Sequence, residues 1–198
     1  KSDFLSRMSH DIRTPMNAIK AMLSFANESW NDPDRVRDCL DKVENSARFL
    51  LALINDILDM SKIESGKAIL KKKAFDFAAF TRNLAAMFYG QAEKKQVRFQ
   101  VLLGRNLAEA YVGDELKLNQ ILINLLGNAI KFTEPGGSVL LSVQEDKRSN
   151  KASELVFSVT DTGIGMQKSF LKKIFEPFEQ DSQQRSNQGG SGLGLSIA

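Results

Sequence analysis

Residues 115–133 read ELKLNQILINLLGNAIKFT, and this stretch decides the architecture of the second part of the chain. Polar residues recur along it at steps of three or four and leucines fill the opposite side, which predicts a helix with one polar face. The polar residues are Lys117, Gln120, Asn124, Asn128 and Lys131. A solvated face is the usual explanation, but it would normally be built from Glu, Lys and Arg. An asparagine carbonyl can instead complete the shell of a hydrated Mg²⁺ on a phosphate, so both readings stay open.

Strand-like runs surround this helix. They occur at residues 68–70, 97–103, 139–143 and 155–160, and a second helix is expected near residues 77–94. We therefore expect an α/β domain in which helices pack on one sheet.

A carboxylate stands at the end of the last of these strands. The run 155–160 ends at Asp161, and Gly163 and Gly165 follow within four residues. A carboxylate can accept a hydrogen bond from an exocyclic amine such as that of adenine, and glycines let a backbone approach a flat ring. This pattern predicts an adenine pocket, although turns also use glycine.

A second glycine string lies near the carboxyl end. Gly190, Gly192 and Gly194 alternate with Ser191 and Leu193 before a predicted helix start, a pattern that can turn backbone N–H groups toward phosphate oxygens. The polar stretch that precedes them, residues 179–191, is expected to form a lid or loop. The string GxxxxGK[ST] is absent from the sequence, which excludes an ATP site of the P-loop kind.

The first part of the chain predicts a helix over residues 4–25. Its apolar stripe consists of Leu5, Met8, Ile12, Met16, Ile19 and Leu23. His10, the only histidine of the chain, falls outside this stripe, with Thr14 one turn further on the same side. A lone histidine is most often an ordinary surface residue, but this position predicts an imidazole that another domain can reach.

A second helix is expected over residues 34–65, after a turn at residues 31–34 with Asp32 or Asp34 as its cap. Its heptad seam consists of Val36, Leu40, Val43, Ala47, Leu50, Ile54 and Ile57. Leu51 and Leu58 widen the apolar face beyond what one partner helix covers. The hairpin therefore predicts a dimeric four-helix bundle, and packing on the rest of the same chain is the alternative.

Composition limits the remaining classes of function. The 198 residues carry a net charge of +3 without a long basic run, which argues against nucleic-acid binding. The single cysteine, Cys39, and the single histidine exclude a zinc site and fit a reducing compartment. No apolar segment reaches the length of a membrane span, so we expect no direct membrane contact in this piece.

Five strings in order resemble the kinase core of a sensor histidine kinase. SHDIRTP resembles the phosphoacceptor H box, NQILINLLGNAIKFT the N box, VTDTGIGM the first G box, IFEPFEQ the F box and GGSGLGLS the second G box. SHDIRTPMN further resembles the hybrid kinases, which carry a receiver domain after the core. The resemblance implies a dimeric helical bundle, residues 1–66, and a nucleotide-binding α/β sandwich of the gyrase, chaperone, histidine kinase and mismatch-repair type, residues 67–198.

The resemblance assigns His10 as the phosphoacceptor and Asp11 as the base that orients its ring. It gives Thr14 a role in dephosphorylating the partner regulator. ATP is the implied phosphoryl donor, Mg²⁺ the implied metal, and Asn128 its ligand, while Lys131 contacts phosphate.

For the nucleotide, the resemblance implies that Asp161 holds the adenine amine, with Gly163 and Gly165 beside the ring. Phe175 and Phe178 anchor the lid on apolar surface. The phosphates are bordered by Gly190, Gly192, Leu193 and Gly194.

The implied partners are a second copy of the chain and the receiver domain of a response regulator. The chain would then be the cytoplasmic portion of a larger sensor protein, with membrane anchoring left open. It ends where the family continues the sandwich, so the second domain is expected to be incomplete.

Two other functions are weighed against the kinase. One is an ATPase of the wider superfamily, which generally places a glutamate where this chain has Asn124, and an amide cannot serve as that base. The other is a nucleotide-binding scaffold that dimerises without turnover.

Overall fold

A computed structural model describes residues 2–148, 152–179 and 192–197. The elements, in chain order, are α1 (Ser2–Glu28), α2 (Pro33–Glu64), β1 (Lys73–Asp76), α3 (Phe77–Lys94), β2 (Arg98–Leu103), β3 (Ala110–Gly113), α4 (Glu115–Phe132), β4 (Ser138–Arg148), β5 (Ser153–Asp161) and α5 (Gly194–Ile197). They form two compact units. Residues 2–68 belong to the first unit together with 176–179 and 192–197, and residues 69–175 form the second.

The hairpin of α1 and α2 turns where the sequence predicts. Asp32 caps α2, because its carboxylate accepts from the amide of Arg35 at 3.1 Å, and Pro33 occupies the first helical turn. The turn is closed by the Asp32 amide, which donates to the carbonyl of Ser29 at 2.8 Å. The prediction of Asp32 as a cap is confirmed.

The apolar stripes predicted for the two helices are partly wrong. The buried residues that line the hairpin are Pro15, Ala26, Cys39 and Leu53. Several predicted stripe and seam residues are instead exposed, namely Met16, Leu23, Leu40 and Ile54. Each helix has only one neighbouring helix, which covers a narrow part of its wide apolar face. The buried residues Pro15, Cys39 and Leu53 lie next in sequence to the exposed residues Met16, Leu40 and Ile54.

The second unit contains two small sheets rather than the one expected. β2, β4 and β5 form a three-stranded sheet in which β2 runs parallel and β5 antiparallel to β4. β1 and β3 form a separate antiparallel pair.

The strand expected at residues 68–70 is not formed, since β1 begins only at Lys73, where its antiparallel partner β3 is available. β3 itself is not predicted by the sequence.

The core of the second unit lies between its sheet and two helices. α3 contributes Phe77, Phe80, Leu84 and Phe88, α4 contributes Leu122, Leu126, Ala129 and Ile130, and β4 contributes Val139, Leu141 and Val143. Both helices have the predicted bounds because an aspartate caps each of them, Asp76 for α3 and Asp114 for α4. The backbone amides of Lys71 and Lys117 bind the carboxylate of Asp114 and lower its pKa.

Among the described helices, none is both long and apolar enough to cross a bilayer.

Candidate functional site

His10 presents its imidazole to solvent on the outer surface of α1. Its side chain is 78% exposed, and Nδ1 lies 3.1 Å from Oδ1 of Asp11, whose side chain is 31% exposed. A neutral imidazole that donates from Nδ1 to this carboxylate keeps its lone pair on Nε2. The first unit therefore holds an exposed imidazole and, in the adjacent position, a carboxylate within hydrogen-bond distance of its Nδ1.

Thr14 lies one helical turn beyond His10. Its hydroxyl donates to the backbone carbonyl of His10 at 3.2 Å, and both residues are exposed. An open groove runs along the same helix and is lined by Met8, Ser9, Ile12, Arg13, Met16 and Asn17.

The polar face of α4 lies in the second unit. Asn124, Asn128 and Lys131 are each half-buried. Burial, and secondarily the charge of Lys95, lowers the pKa of Lys131. The Lys131 ammonium lies 4.9 Å from the centre of the Phe132 ring. A half-buried ammonium at a helix end can bind an anion more strongly than an exposed one, because water screens it less.

The segment of residues 161–165, which begins at the last residue of β5, is hydrogen-bonded to the carboxyl end of α4. Oδ1 of Asp161 accepts from the amide of Gly163 at 2.8 Å, and the amide of Ile164 donates to the Phe132 carbonyl at 3.2 Å. The Thr162 hydroxyl accepts from the amide of Ser138 at 2.9 Å. With Oδ1 engaged locally, Oδ2 of Asp161 is the carboxylate oxygen that can accept from a ligand amine.

Glycine is required at the two glycine positions of this segment for different structural reasons. A Cβ on Gly163 would lie 2.5 Å from the Phe132 carbonyl oxygen and 2.8 Å from Oδ1 of Asp161. Gly165 has open space around it but adopts a φ of +69°, which side chains disfavour. Gly163 therefore permits close packing, whereas Gly165 permits the turn of the chain.

A resident metal cage is not present in the part of the chain that the structure describes, because no three His, Cys, Asp or Glu side chains cluster there. Asn128 fits a different arrangement. One amide oxygen can complete the shell of a Mg²⁺ ion whose other ligands are phosphate oxygens and water. The donor set thus suits a metal that arrives with a nucleotide.

The predicted lid anchors differ from each other. Phe178 is 6% exposed and packs with Leu53 and Leu193 in the first unit, whereas Phe175 is 70% exposed. The expectation that Phe175 rests on apolar surface is therefore not met among the described residues.

Phe178 and Gly192 both have left-handed backbone conformations, with φ of +64° and +67°. The Phe178 amide donates to the Gly192 carbonyl at 3.0 Å, and a Cβ on Gly192 would lie 2.9 Å from the Phe178 backbone. Leu193 is fully buried and Gly194 begins α5. Gly190 lies outside the described residues.

The structure also brings together residues that the sequence does not single out. Lys95 reaches carbonyl groups 35 and 36 positions further along the chain, and Thr162 bridges to Ser138. No local pattern marks such contacts, because they depend on how α3, α4 and β4 pack.

Comparison with known proteins separates the chain into two matched regions. Residues 1–66 match the family described as "His Kinase A (phospho-acceptor) domain", and residues 113–198 match "Histidine kinase-, DNA gyrase B-, and HSP90-like ATPase". Over its whole length the chain is 42% identical to Autoinducer 2 sensor kinase/phosphatase LuxQ of Vibrio vulnificus and 41% identical to Sensor protein GacS of Pseudomonas syringae. It is 36% identical to Signal transduction histidine-protein kinase BarA of Escherichia coli. The chain spans 21–23% of these relatives, which is less than a quarter of their length.

Solved structures show the same fold. Full-length ShkA in complex with AMPPNP superposes with a TM-score of 0.67 at 30% identity, over 98% of this chain and 39% of that one. The histidine kinase AdeS of Acinetobacter baumannii superposes with a TM-score of 0.69 over 95% of this chain and 83% of that one, at 22% identity.

Proposed function

Since this chain belongs to the sensor histidine kinase family, we propose that it is an ATP-dependent protein-histidine autokinase core of a two-component system. His10 takes the γ-phosphoryl group of ATP and passes it to an aspartate in the receiver domain of a response regulator. The observation that carries the proposal is the 78% exposed imidazole, with the Asp11 carboxylate 3.1 Å from its Nδ1.

The proposed chemistry follows from this pair. Nε2 of His10 attacks the γ-phosphorus, a nitrogen–phosphorus bond forms, and the bond from that phosphorus to the bridging oxygen breaks to release ADP. The ring becomes positively charged as its lone pair is used, and the Asp11 carboxylate stabilises the N–H at Nδ1. Asp11 also fixes the ring orientation, so that less conformational freedom is lost on the way to the transition state.

The second unit supplies the proposed nucleotide contacts. Asp161 accepts from the adenine amine through Oδ2, and Gly163 and Gly165 let the backbone lie beside the ring. Lys131 contacts phosphate. Asn128 holds Mg²⁺, which when bound neutralises charge on the phosphate oxygens.

The glycine string is assigned by resemblance alone. Gly190, Gly192, Leu193 and Gly194 are proposed to border the phosphates. Asn124 favours transfer over hydrolysis, because its amide lacks the basicity needed to activate water.

We propose that the chain works as a homodimer. The apolar residues that the hairpin leaves exposed include Met16, Leu23, Leu51 and Leu58, two from each helix. When two copies pack these faces against each other, the exposed apolar side chains are removed from water and the four helices form a bundle. Sedimentation equilibrium tests this, and a monomer at micromolar concentration would contradict it.

The parent protein is proposed to be a larger sensor, of which this chain is part of the cytoplasmic portion. The support is that the curated relatives are more than four times its length. The receiver domain is proposed to be either fused to the parent or a separate protein.

A phosphatase activity is the second candidate function, and Thr14 favours it. Its exposed hydroxyl, 3.2 Å from the His10 carbonyl, can accept from a water one turn away from the phosphorylated position. A water placed there could attack the phospho-aspartate of a docked regulator. Thr14→Ala should leave labelling of His10 intact and slow the loss of phosphate from the purified phospho-regulator. An unchanged rate of loss would remove this role.

Stoichiometry tests the kinase against the alternatives. Purified protein is incubated with Mg²⁺ and with ATP labelled at either the α or the γ phosphorus. A kinase incorporates only the γ label and forms one ADP for each phosphoryl group bound. Continuous release of inorganic phosphate without bound label would indicate an ATPase, and binding without ADP formation would indicate a scaffold.

A further inference from the structure

The side chain of Lys95 crosses from the end of α3 to the end of α4. Its ammonium group donates to the carbonyl of Ile130 at 3.0 Å and also to the carbonyl of Lys131. The last four carbonyls of a helix lack partners within the helix and carry its negative dipole end. A half-buried ammonium is therefore well matched to this position, and it holds the last turn of α4 in place.

The backbone of the turn between α3 and β2 is fixed by hydrogen bonds, and this conformation directs the side chain of Lys95 toward α4. Gln96 adopts a left-handed φ of +58°, and its carbonyl accepts from the amide of Gly136 at 2.8 Å. The amide of Arg98 donates to the carbonyl of Gly137 at 2.9 Å. The backbone of the turn thus forms hydrogen bonds with the connection between α4 and β4, and the side chain of Lys95 forms hydrogen bonds with the end of α4.

The next carbonyl along α4 holds the candidate adenine loop. The Phe132 carbonyl follows directly after that of Lys131, accepts from the amide of Ile164 at 3.2 Å, and faces the space that Gly163 leaves open. The Gly163 amide in turn donates to Oδ1 of Asp161 at 2.8 Å. A continuous path of close contacts therefore joins Lys95 to the carboxylate.

We propose that Lys95 is a positioning residue of the nucleotide pocket. It fixes the carboxyl end of α4, so that the Phe132 carbonyl keeps the loop of residues 161–165 where Oδ2 of Asp161 meets the adenine amine. This inference rests on the proposed nucleotide-binding function.

A purely structural role for Lys95 makes a different prediction. A helix-end cation that only stabilises the fold would, on removal, weaken all ligands equally or none of them. A positioning residue instead affects the one contact that depends on the placement of Asp161. The two roles are separated by comparing ATP with an ATP analogue in which hydrogen replaces the 6-amino group of the base.

Lys95→Met removes the donor and the charge and keeps an unbranched side chain only one atom shorter, and Lys94→Met is the matched control because Lys94 is the exposed neighbour in α3. By calorimetric titration we expect Lys95→Met to bind ATP about tenfold more weakly, the effect of a misplaced charge-assisted hydrogen bond, while the analogue changes less than about twofold. Lys94→Met should leave both affinities unchanged. Lys95→Arg, which keeps the charge and the N–H donors, should recover most of the preference for ATP.

Amide hydrogen exchange tests the placement without any nucleotide. In Lys95→Met the amide of Ile164 should exchange at least about fivefold faster than in the parent, since its acceptor on Phe132 is loosened, and Lys94→Met should not change it. If Lys95→Met does not unfold cooperatively, Lys95→Gln, which also loses the charge but keeps a polar end, is measured in its place.

Equal weakening of ATP and the analogue, or an unchanged Ile164 amide, would overturn the positioning role. A parent protein that binds both nucleotides equally would instead refute adenine recognition by Asp161. The exchange measurement would then still decide whether Lys95 holds the loop.

Discussion

Gly163→Ala tests whether the loop after β5 is held against the end of α4 as tightly as the structure indicates. The added Cβ would lie 2.5 Å from the Phe132 carbonyl oxygen, whereas ordinary contact begins near 3.4 Å, so the loop must retreat by about 0.9 Å. The Ile164 amide is already 3.2 Å from that oxygen and would pass beyond hydrogen-bond distance.

The expected cost follows from these distances. Overpacking of this kind destabilises by about 1–3 kcal/mol. The same retreat moves the backbone that Asp161 binds through the Gly163 amide. A hydrogen bond to a charged group contributes about 1.5–3 kcal/mol, and about 1.4 kcal/mol corresponds to a tenfold change in affinity, so a misplaced Asp161 should make ATP bind roughly tenfold more weakly or worse.

Urea unfolding followed by circular dichroism and calorimetric titration with ATP measure the two effects. Gly90→Ala is the control, because Gly90 lies inside α3 with nothing within 4 Å of the added Cβ, and alanine should stabilise that helix by up to ~1 kcal/mol. If Gly163→Ala matches the parent in both measurements, the close packing of this loop on Phe132 is refuted.

Three further predictions concern single side chains. Asp161→Asn should weaken ATP by about 1.5–3 kcal/mol in calorimetry and leave GTP binding unchanged; an equal loss for both would contradict adenine recognition. Leu53→Ala, at a side chain only 1% exposed that packs with Phe178 and Leu193, should lower the free energy of unfolding by about 2–5 kcal/mol, and Leu116→Ala, at a leucine that is exposed and lies outside the proposed dimer face, should not. The pKa of Lys131 is lowered on folding, so the folded state binds fewer protons and the parent should gain stability as pH rises toward the ordinary lysine value of 10.5. Urea titrations across this range should show the gain in the parent and not in Lys131→Met.

Most helices can be predicted from the sequence because the residues that start them, and the apolar pattern along them, lie within a short stretch of chain. α3 and α4 each follow an aspartate that caps them, and α2 follows the cap Asp32 and begins at Pro33, so the starts of these helices can be predicted from the sequence. β3 escapes prediction because its four residues have no period of their own and become a strand only through pairing with β1. Residues 69 and 70 show the converse, since both are apolar and yet lie exposed without a strand partner in the described fold.

The candidate site likewise contains residues that local spacing places and residues that only the packing of the fold brings together. His10 and Thr14 share one side of α1 by helical spacing, and the structure places the Thr14 hydroxyl 3.2 Å from the His10 carbonyl. The 3.1 Å contact between His10 and Asp11 does not follow from spacing, because side chains one position apart do not face each other on a helix. Lys95 could not be predicted, because its contacts to the end of α4 arise from the packing of two helices. The exposure of Phe175 could not be predicted either, since an F box fixes residue types and not which ring is buried.

The chemical identity of the phosphorylated residue tests the kinase assignment most directly. After incubation with Mg²⁺ and ATP labelled at the γ phosphorus, the protein should carry a label that is lost in acid and retained in alkali, as phosphohistidine requires. Because His10 is the only histidine in the chain, His10→Gln should abolish the label while ATP binding persists. An acid-stable label, or a label of undiminished strength on His10→Gln, would contradict the account.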